Sequence, residues 1–317
     1  MEQVIQPIAR EILRAELTPS KFVRHTNNGG NKLYVVTAHD SPNVMQEIGR
    51  LREISFRAAG GGTGKKVDID EFDTNPKHPY KQLIVWDPKA KEILGGYRYI
   101  HAGAGEVENL ATSELFTFSE KFVNKYIPRT IELGRSFVQP NYQSTRLRSK
   151  GLYALDNLWD GLGAMVLRYP EVNYFFGKVT MYLSYNQEAR NMLLYFLHKH
   201  FEDKDKLVWP TVPLKIDIDE KRMKALFTGN DYKEDYKILS REVRALGENI
   251  PPLINSYMNL SPSMRVFGTA LNPLFGGVEE TGILIKIEDI YAEKIERYTA
   301  PIRRIAQKFR ARWWIQR

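Results

Sequence analysis

The 317-residue sequence contains no cysteine. That excludes disulfide scaffolds, thiolate nucleophiles and Cys-ligated zinc or iron–sulfur sites. Long hydrophobic runs are missing too. The longest unbroken aliphatic and aromatic run is six residues, Met192 to Leu197, against the ~20 that span a bilayer. The N-terminal stretch mixes Glu2, Arg10, Glu11, Arg14 and Glu16 with its apolar residues, so it lacks the apolar segment of a secretory signal. A cytoplasmic protein is expected. Among the histidines only His198 and His200 lie close, and an i, i+2 pair on a helix faces two directions, so no metal site is expected. There is no G-x-S-x-G elbow of the kind serine hydrolases use. The glycine-rich stretch 59–66 misses the phosphate-cradling P-loop pattern twice, with Ala59 in place of glycine and Lys66 in place of Ser or Thr. It reads instead as a flexible flap.

What is present is the composition of an ordinary globular protein, 43% hydrophobic and 26% charged, which supports a sizeable core and excludes disorder as the main state. Of the net charge of +8, six units sit in residues 301–317 (Arg303, Arg304, Lys308, Arg310, Arg312, Arg317, with no acid), leaving +2 for the rest. A basic face spread over the body is therefore absent, and nucleic acid is not an expected partner. At 100° per residue Ile302, Ile305, Phe309 and Trp313 form one stripe with cations around it. The segment 298–317 reads either as a basic amphipathic helix for an anionic membrane surface or an acidic protein, or as a core-packed helix with a solvated face.

Periodicity predicts an N-terminal amphipathic helix over residues 3–17, a strand at 32–37 and a helix at 42–56 carrying Val44, Ile48, Leu51 and Ile54. Strands at 82–86 and 92–100 flank a short turn and suggest a hairpin. A strand at 130–138, a helix at 152–168, a strand at 172–181 and a helix at 186–201 follow. A helix over 251–260 and strands at 265–270 and 281–287 close the pattern. The alternation predicts a mixed α/β sheet with helices on its faces. The charged stretch 203–248 looks like an insertion set off from the core.

Chemistry-bearing residues are dispersed: Arg52 and Phe56 on one helix face, Asp68, Asp70 and Asp73 after the flap, Arg98 in a strand, and Glu132 and Arg135 in the next clear strand. Regular alternation puts Glu132 and Gly134 on one face and Arg135 on the other unless a bulge re-aims it. Singly, such acids and arginines are ordinary ion pairs. A carboxylate such as Glu132 is suited to accept a proton from a nucleophile.

The helix Leu-Arg-Glu-Ile-Ser-Phe (51–56), the acidic D-x-D-x-F-D at 68–73, the hairpin end Gly-Gly-Tyr-Arg-Tyr (95–99) and Glu132-Leu-Gly-Arg-Ser-Phe-Val138 resemble the hemolysin-like acyltransferases of the GNAT superfamily. These include the acyl-carrier-protein-dependent N-acyltransferases that begin ornithine-lipid and glycine-lipid synthesis. The same spaced residues also resemble the acyl-homoserine-lactone synthases, and the likeness covers about residues 40–300. Two departures leave the acceptor open: Gly60–Gly62 replaces the tryptophan the lactone synthases carry after the phenylalanine, and Asn272-Pro273 stands where the lipid enzymes usually show an acid.

The resemblance implies a GNAT-like acyltransferase domain over 36–297, preceded by an N-terminal helix and linker (1–35) and followed by the basic tail. It implies a fatty acyl group, with or without a 3-hydroxyl, moving from acyl carrier protein to glycine or ornithine, with no permanently bound cofactor. Glu132 would be the base, with Arg135, Asp70 and Asp73 beside it. Asp70 and Asp73 would orient the amine, and Arg98 or Arg135 would hold a carboxylate. Arg52, Phe56, Ser136, Phe137 and Val138 would complete the substrate site, with backbone N–H groups near Phe137 and Val138 facing the thioester oxygen. The segment Arg148-Ser-Lys150-Gly151-Leu-Tyr153, with Arg146 before it, matches the first half of the GNAT phosphopantetheine loop. The arginines and aspartates fit a structural ion network equally well. With the basic tail, the resemblance implies a cytoplasmic enzyme, peripheral on the inner face of the cytoplasmic membrane. A coenzyme-A-dependent acetyltransferase and a non-catalytic, hemolysin-like membrane-binding protein are the competing readings.

Overall fold

The computed structural model describes residues 1–143 and 150–299. Its elements in chain order are α1 (Arg10–Glu16), β1 (Phe22–His25), β2 (Lys32–Val36), α2 (Pro42–Ala59), α3 (Glu71–Thr74), β3 (Lys81–Asp87), β4 (Glu92–His101), β5 (Phe116–Phe118), α4 (Glu120–Lys125) and β6 (Thr130–Val138). Then come α5 (Lys150–Arg168), β7 (Tyr174–Met181), α6 (Gln187–Phe201), β8 (Val208–Pro210), α7 (Glu220–Leu226), α8 (Tyr232–Ala245), α9 (Pro252–Met258), β9 (Arg265–Asn272) and β10 (Val278–Lys286). Eight strands form one sheet in the order β1-β2-β3-β4-β6-β7-β10-β9, and β5 pairs with β8 beside it. Within the large sheet only β6 and β7 run parallel. The mixed α/β sheet with flanking helices expected from the alternation is what forms. No helix among the described residues is long and apolar enough to cross a membrane.

Two irregularities near the middle of the sheet shape everything that follows. First, β6 pairs with β7 only from Thr130↔Tyr174 to Leu133↔Gly177, although β6 runs on to Val138 and β7 to Met181. Beyond that point the strands part. Second, Arg98 pairs with Gly134 and Gly96 with Phe137, so Arg135 and Ser136 together face the single residue Tyr97. This is a β-bulge, which adds one residue and reverses the alternation after it. Arg135 takes a φ of +51° to make it, a conformation that costs a non-glycine residue about 1 kcal/mol or more.

The bulge turns Phe137 toward α2, where it is buried with Val44, Ile48, Leu51, Ile84 and Trp86. The opposite face is covered by α5, α6, α8 and α9, whose Leu158, Met165, Leu193, Leu197, Leu239, Val243 and Ile254 pack against Leu83, Tyr97, Ile131, Phe175 and Val179 of the sheet. A third group, Tyr80, Ile100, Phe122, Phe176, Phe267 and Leu284, closes the segment around α4.

Three expectations are corrected. The N-terminal helix spans only Arg10–Glu16. Ahead of it the backbone runs alongside residues 64–66, the Glu2 N–H donating to the Gly64 carbonyl at 2.8 Å and Ile5 N–H to Lys66 at 3.3 Å. Pro7 disfavours helical geometry at the residue before it. The stretch 203–248 is built into the core: Leu207, Met223, Phe227, Leu239 and Val243 are all buried. Most of its charges lie on the outer faces of short helices whose apolar positions point inward, the buried Asp235, paired with Lys199 and His200, being an exception, so its low aliphatic content conceals an amphipathic pattern. The glycine-rich stretch is no loose flap. The Glu53 carboxylate, fully buried, accepts from Thr63 N–H (3.0 Å), the Thr63 hydroxyl (2.7 Å), Gly64 N–H (2.7 Å) and Arg57 (2.7 Å). Burial raises this carboxyl, but those four donors outweigh it and hold it below its ordinary pKa. Gly60 ends α2 at φ +95°, and Gly276 (φ +78°) lies so close that a Cβ there would meet Gly61 at 3.0 Å. Of the basic tail expected over 298–317, residues 298 and 299 end a helical stretch that begins at 292, and 300–317 lie outside the described residues.

Leu239→Ala, on α8 and fully buried, is expected to cost about 2–5 kcal/mol, read from chemical denaturation. A loss below ~0.5 kcal/mol, the usual figure for a surface site, would return 203–248 to the status of an appended insertion.

Candidate active site

Where β6 and β7 separate, the sheet opens into a cavity of about 590 Å³, within the ~300–1,000 Å³ of small-molecule sites. Its walls carry two chemistries. Phe56, Leu133, Phe137, Val138, Leu155, Leu158, Val179, Leu253, Ile254, Tyr257 and Phe275 make it mostly apolar, while Arg98, Glu132, Arg135, Lys178 and Glu280 bring charge. Cross-strand partners share a face. The pairs Glu132↔Phe176, Arg98↔Gly134, Gly282↔Lys178 and Glu280↔Thr180 therefore put Arg98, Glu132, Lys178 and Glu280 on one side of the sheet. Leu133 and Val179 alternate to the other side, with α5 and α9. The opening thus joins a polar chamber to an apolar one.

Glu132 is 1% exposed. It accepts hydrogen bonds from the Tyr80 hydroxyl (2.9 Å), the Thr112 N–H (3.2 Å) and the Thr112 hydroxyl (2.7 Å). Tyr80 in turn accepts from the Ala111 N–H at 2.9 Å. Burial raises the Glu132 carboxyl above its ordinary pKa, and the Thr112 and Tyr80 bonds with the Lys178 and Arg98 charges only partly oppose that. Burial and the Glu132 charge push the Tyr80 phenol well up, so it stays a neutral donor. A carboxylate held this way is a proton acceptor on a cavity wall, matched to work nearer neutrality than a free one.

Behind the wall lies a closed ionic lattice. Arg52 meets Asp73 at 3.0 Å with both side chains fully buried, and Gln82 bridges the pair. Arg98 donates to both oxygens of Asp70 at 2.6 and 2.7 Å and lies 3.3 Å from Asp73. The bulge brings the Arg135 Nε within 2.9 Å of Asp68 and stacks its guanidinium on Phe275 at 4.2 Å. Phe275 in turn meets Phe56 edge-on, their centroids 5.0 Å apart. Asp70 caps α3 and shares a capping box with Asp73, so the D-x-x-D spacing is local helix chemistry as well as charge pairing. Burial pushes Asp70 up, but Arg98, Arg135 and Arg52 outweigh it and hold it well below the usual carboxylate range.

The structure therefore sorts the residues singled out in the sequence. Glu132, Arg98, Arg135, Phe56, Ser136, Phe137 and Val138 line the cavity. Arg52, Asp70 and Asp73 do not; Arg52 and Asp73 pair with each other, and Asp70 pairs with Arg98. Arg135 sits on the lattice side because the bulge re-aims it. Lys150 and Gly151 open α5, and Arg146 and Arg148 lie outside the described residues. Four residues went unnoticed in the sequence: Tyr80 and Thr112, which hold Glu132, and Lys178 and Glu280, paired at 3.0 Å across β7 and β10. The signal for Lys178 was there, the one charge in β7, whereas Glu280 follows Glu279 at the start of β10 and does not stand out.

Residues 51–150 match the family model described as an acetyltransferase (GNAT) domain. The Glycine N(alpha)-acyltransferase of Phocaeicola vulgatus is 59% identical over 303 residues, covering 94% of this chain and 93% of that protein. The protein of the same name from Bacteroides thetaiotaomicron is 58% identical over 306 residues, with 94% and 90% covered. The L-ornithine N(alpha)-acyltransferase of Brucella abortus is 25% identical over 243 residues, covering 75% of this chain and 76% of its own length. Among solved structures, the AHL synthase LasI aligns over 52% of this chain and 77% of its own at 10% identity, with a TM-score of 0.30.

Arg52→Met removes the nearer of the two cations beside Asp73, leaving Arg98 at 3.3 Å, and is expected to cost about 3 kcal/mol, measured as a fall in unfolding free energy. Adding Asp73→Asn should recover part of it.

Proposed function

Because this chain belongs to the GNAT-domain N-acyltransferases that include the glycine N(alpha)-acyltransferases, we propose that it moves a long-chain fatty acyl group from acyl carrier protein to the amine of glycine. The observation that carries this reading is the cavity through the parted strands, apolar at one end and ending at Glu132 on the other. An acyl chain suits the apolar chamber lined by α5 and α9. The thioester then lies at the opening, where β6 has lost its partner strand and its backbone can bond to a substrate oxygen. The run Arg146 and Arg148 ahead of α5, with Lys150 as its first residue, suits the single phosphate of the carrier's pantetheine at a helix N-terminus.

The chemistry follows from the protons. Glycine arrives as a zwitterion whose ammonium has no lone pair. One of its three protons passes to the Glu132 carboxylate, freeing the nitrogen to attack the thioester carbonyl carbon. The tetrahedral oxyanion collapses, the C–N bond remains and the C–S bond breaks. A second proton leaves the nitrogen for the departing thiolate, and the third stays on the amide. The products are N-acylglycine and the carrier thiol, and Glu132 returns its proton to water. Tyr80 and Thr112 fix the carboxylate's orientation throughout. The product is amphiphilic, and the basic segment 301–317 suits either an anionic membrane surface or the acidic carrier.

The test is thioester consumption and mass spectrometry of the product with purified protein, offering acyl carrier protein or coenzyme A as donor and glycine or ornithine as acceptor. The expected pair is acyl carrier protein with glycine. Glu132→Gln should cut turnover by about 10²–10⁴-fold without lowering Tm, because it removes a buried charge of similar shape. Transfer to glycine only from coenzyme A, or undiminished transfer by Glu132→Gln, would overturn the donor or the base. Since the base must be ionised and its pKa is raised, kcat/KM should fall as pH drops through a value above that of an ordinary glutamate. A pH–rate profile flat through that region contradicts the assignment.

A further inference from the structure

The acceptor must be held as well as deprotonated, and the polar chamber shows what is free to hold it. Its two wall carboxylates are Glu132 and Glu280, and its wall cations are Arg98, Arg135 and Lys178. Arg98 and Arg135 are committed to Asp70 and Asp68, carboxylates that lie off the cavity. Lys178 and Glu280 differ, because both partners of this pair stand on the wall. The Lys178 ammonium donates to Glu280 at 3.0 Å and to the Ala111 carbonyl at 3.3 Å, using two of a lysine's three N–H donors. Glu280 is anchored by the Asn272 amide at 3.0 Å and the Thr180 hydroxyl at 3.3 Å. Lys178 is also the first residue of β7 past its pairing with β6, so its side chain stands at the lip of the opening.

Resting on the reading above, we propose that the Lys178–Glu280 pair is the acceptor subsite: Lys178 takes the carboxylate of a small α-amino acid through its spare N–H, and Glu280 faces the ammonium. A buried ion pair facing a cavity is complementary to a zwitterion and to nothing of single charge, since either ion alone meets one attraction and one repulsion. Burial raises the Glu280 carboxyl, but Lys178 outweighs it and keeps the group ionised, as this role requires. Lys178 also acts on Glu132 electrostatically, which places pair and base in one chamber. Asn272, standing where the resembling lipid enzymes usually show an acid, serves this chain by bonding Glu280 rather than adding a further charge.

The experiment compares glycine with glycinamide, which keeps the amine and lacks the carboxylate. With the full-length protein and acyl carrier protein donor, kcat/KM for glycine should exceed that for glycinamide by about 10–100-fold, the worth of a charge-assisted hydrogen bond. In the Lys178→Met/Glu280→Gln double variant, which leaves no unpaired charge, that preference should vanish through a higher KM for glycine. Two results overturn the subsite: wild-type protein using both acceptors equally, which needs no variant, or a folded double variant that keeps the preference while losing kcat for both, as an oxyanion donor would. Failure of the parent reading looks different, because the wild-type protein would then consume no long-chain thioester with either amine.

Discussion

A β-sheet that parts in its middle leaves backbone N–H and C=O groups without partners, and buried groups of that kind are seldom tolerated. β6 and β7 pair for four residues and then separate, although both strands continue. Everything distinctive about this protein follows from that opening. It places a cavity through the sheet, joins an apolar chamber to a polar one, and turns two strand edges toward that cavity. α5 and α9 line one side, while α2 and the segment holding Tyr80 and Thr112 close the other. The parallel pair is also the one place where the chain must cross over by a helix to return, which sets the start of α5 near the mouth.

The arginines and aspartates serve this opening at one remove. Three arginines and three aspartates, nearly all buried, neutralise one another behind the wall. Such an arrangement is costly to break and adds little net stability by itself. Its work is positional: it fixes the bulge at Arg135, holds Phe275 under that guanidinium, and keeps Arg98 next to Glu132. A strained backbone at Arg135 is retained because Asp68 and Phe275 hold the side chain that the strain delivers. Of the two wall carboxylates, Glu132 has no cation at bonding distance among the described residues and is the one proposed as the base.

Much of this was legible in the sequence. Glu132 was singled out through the resemblance of Glu132-Leu-Gly-Arg-Ser-Phe-Val138 to the acyltransferases, and it does line the cavity; the strands and helices around it have clear periods. The bulge was not legible, since only strand pairing shows that Arg135 and Ser136 oppose one residue. For Asp70 and Asp73 a substrate role and a structural ion network stood equally open, and the capping box and the arginines place both in the network; sequence spacing cannot say on which side of a wall a charge is spent. Residues 203–248 hid buried positions such as Leu239 and Val243 among charges. The glycine-rich stretch looked loose because Glu53, the residue that organises it, lies ten residues earlier on α2.

The account's central claim is that the donor's thioester arm lies along the edges freed by the parting of β6 and β7. Amide hydrogen exchange, measured with and without a hydrolysis-resistant acyl carrier protein analogue, tests it directly. Slower exchange is predicted where β6 and β7 no longer pair with each other, residues 134–138 of β6 and 178–181 of β7, with the outer strands β1 and β2 unchanged. Tight binding of the analogue with unchanged exchange in both strand edges would contradict it.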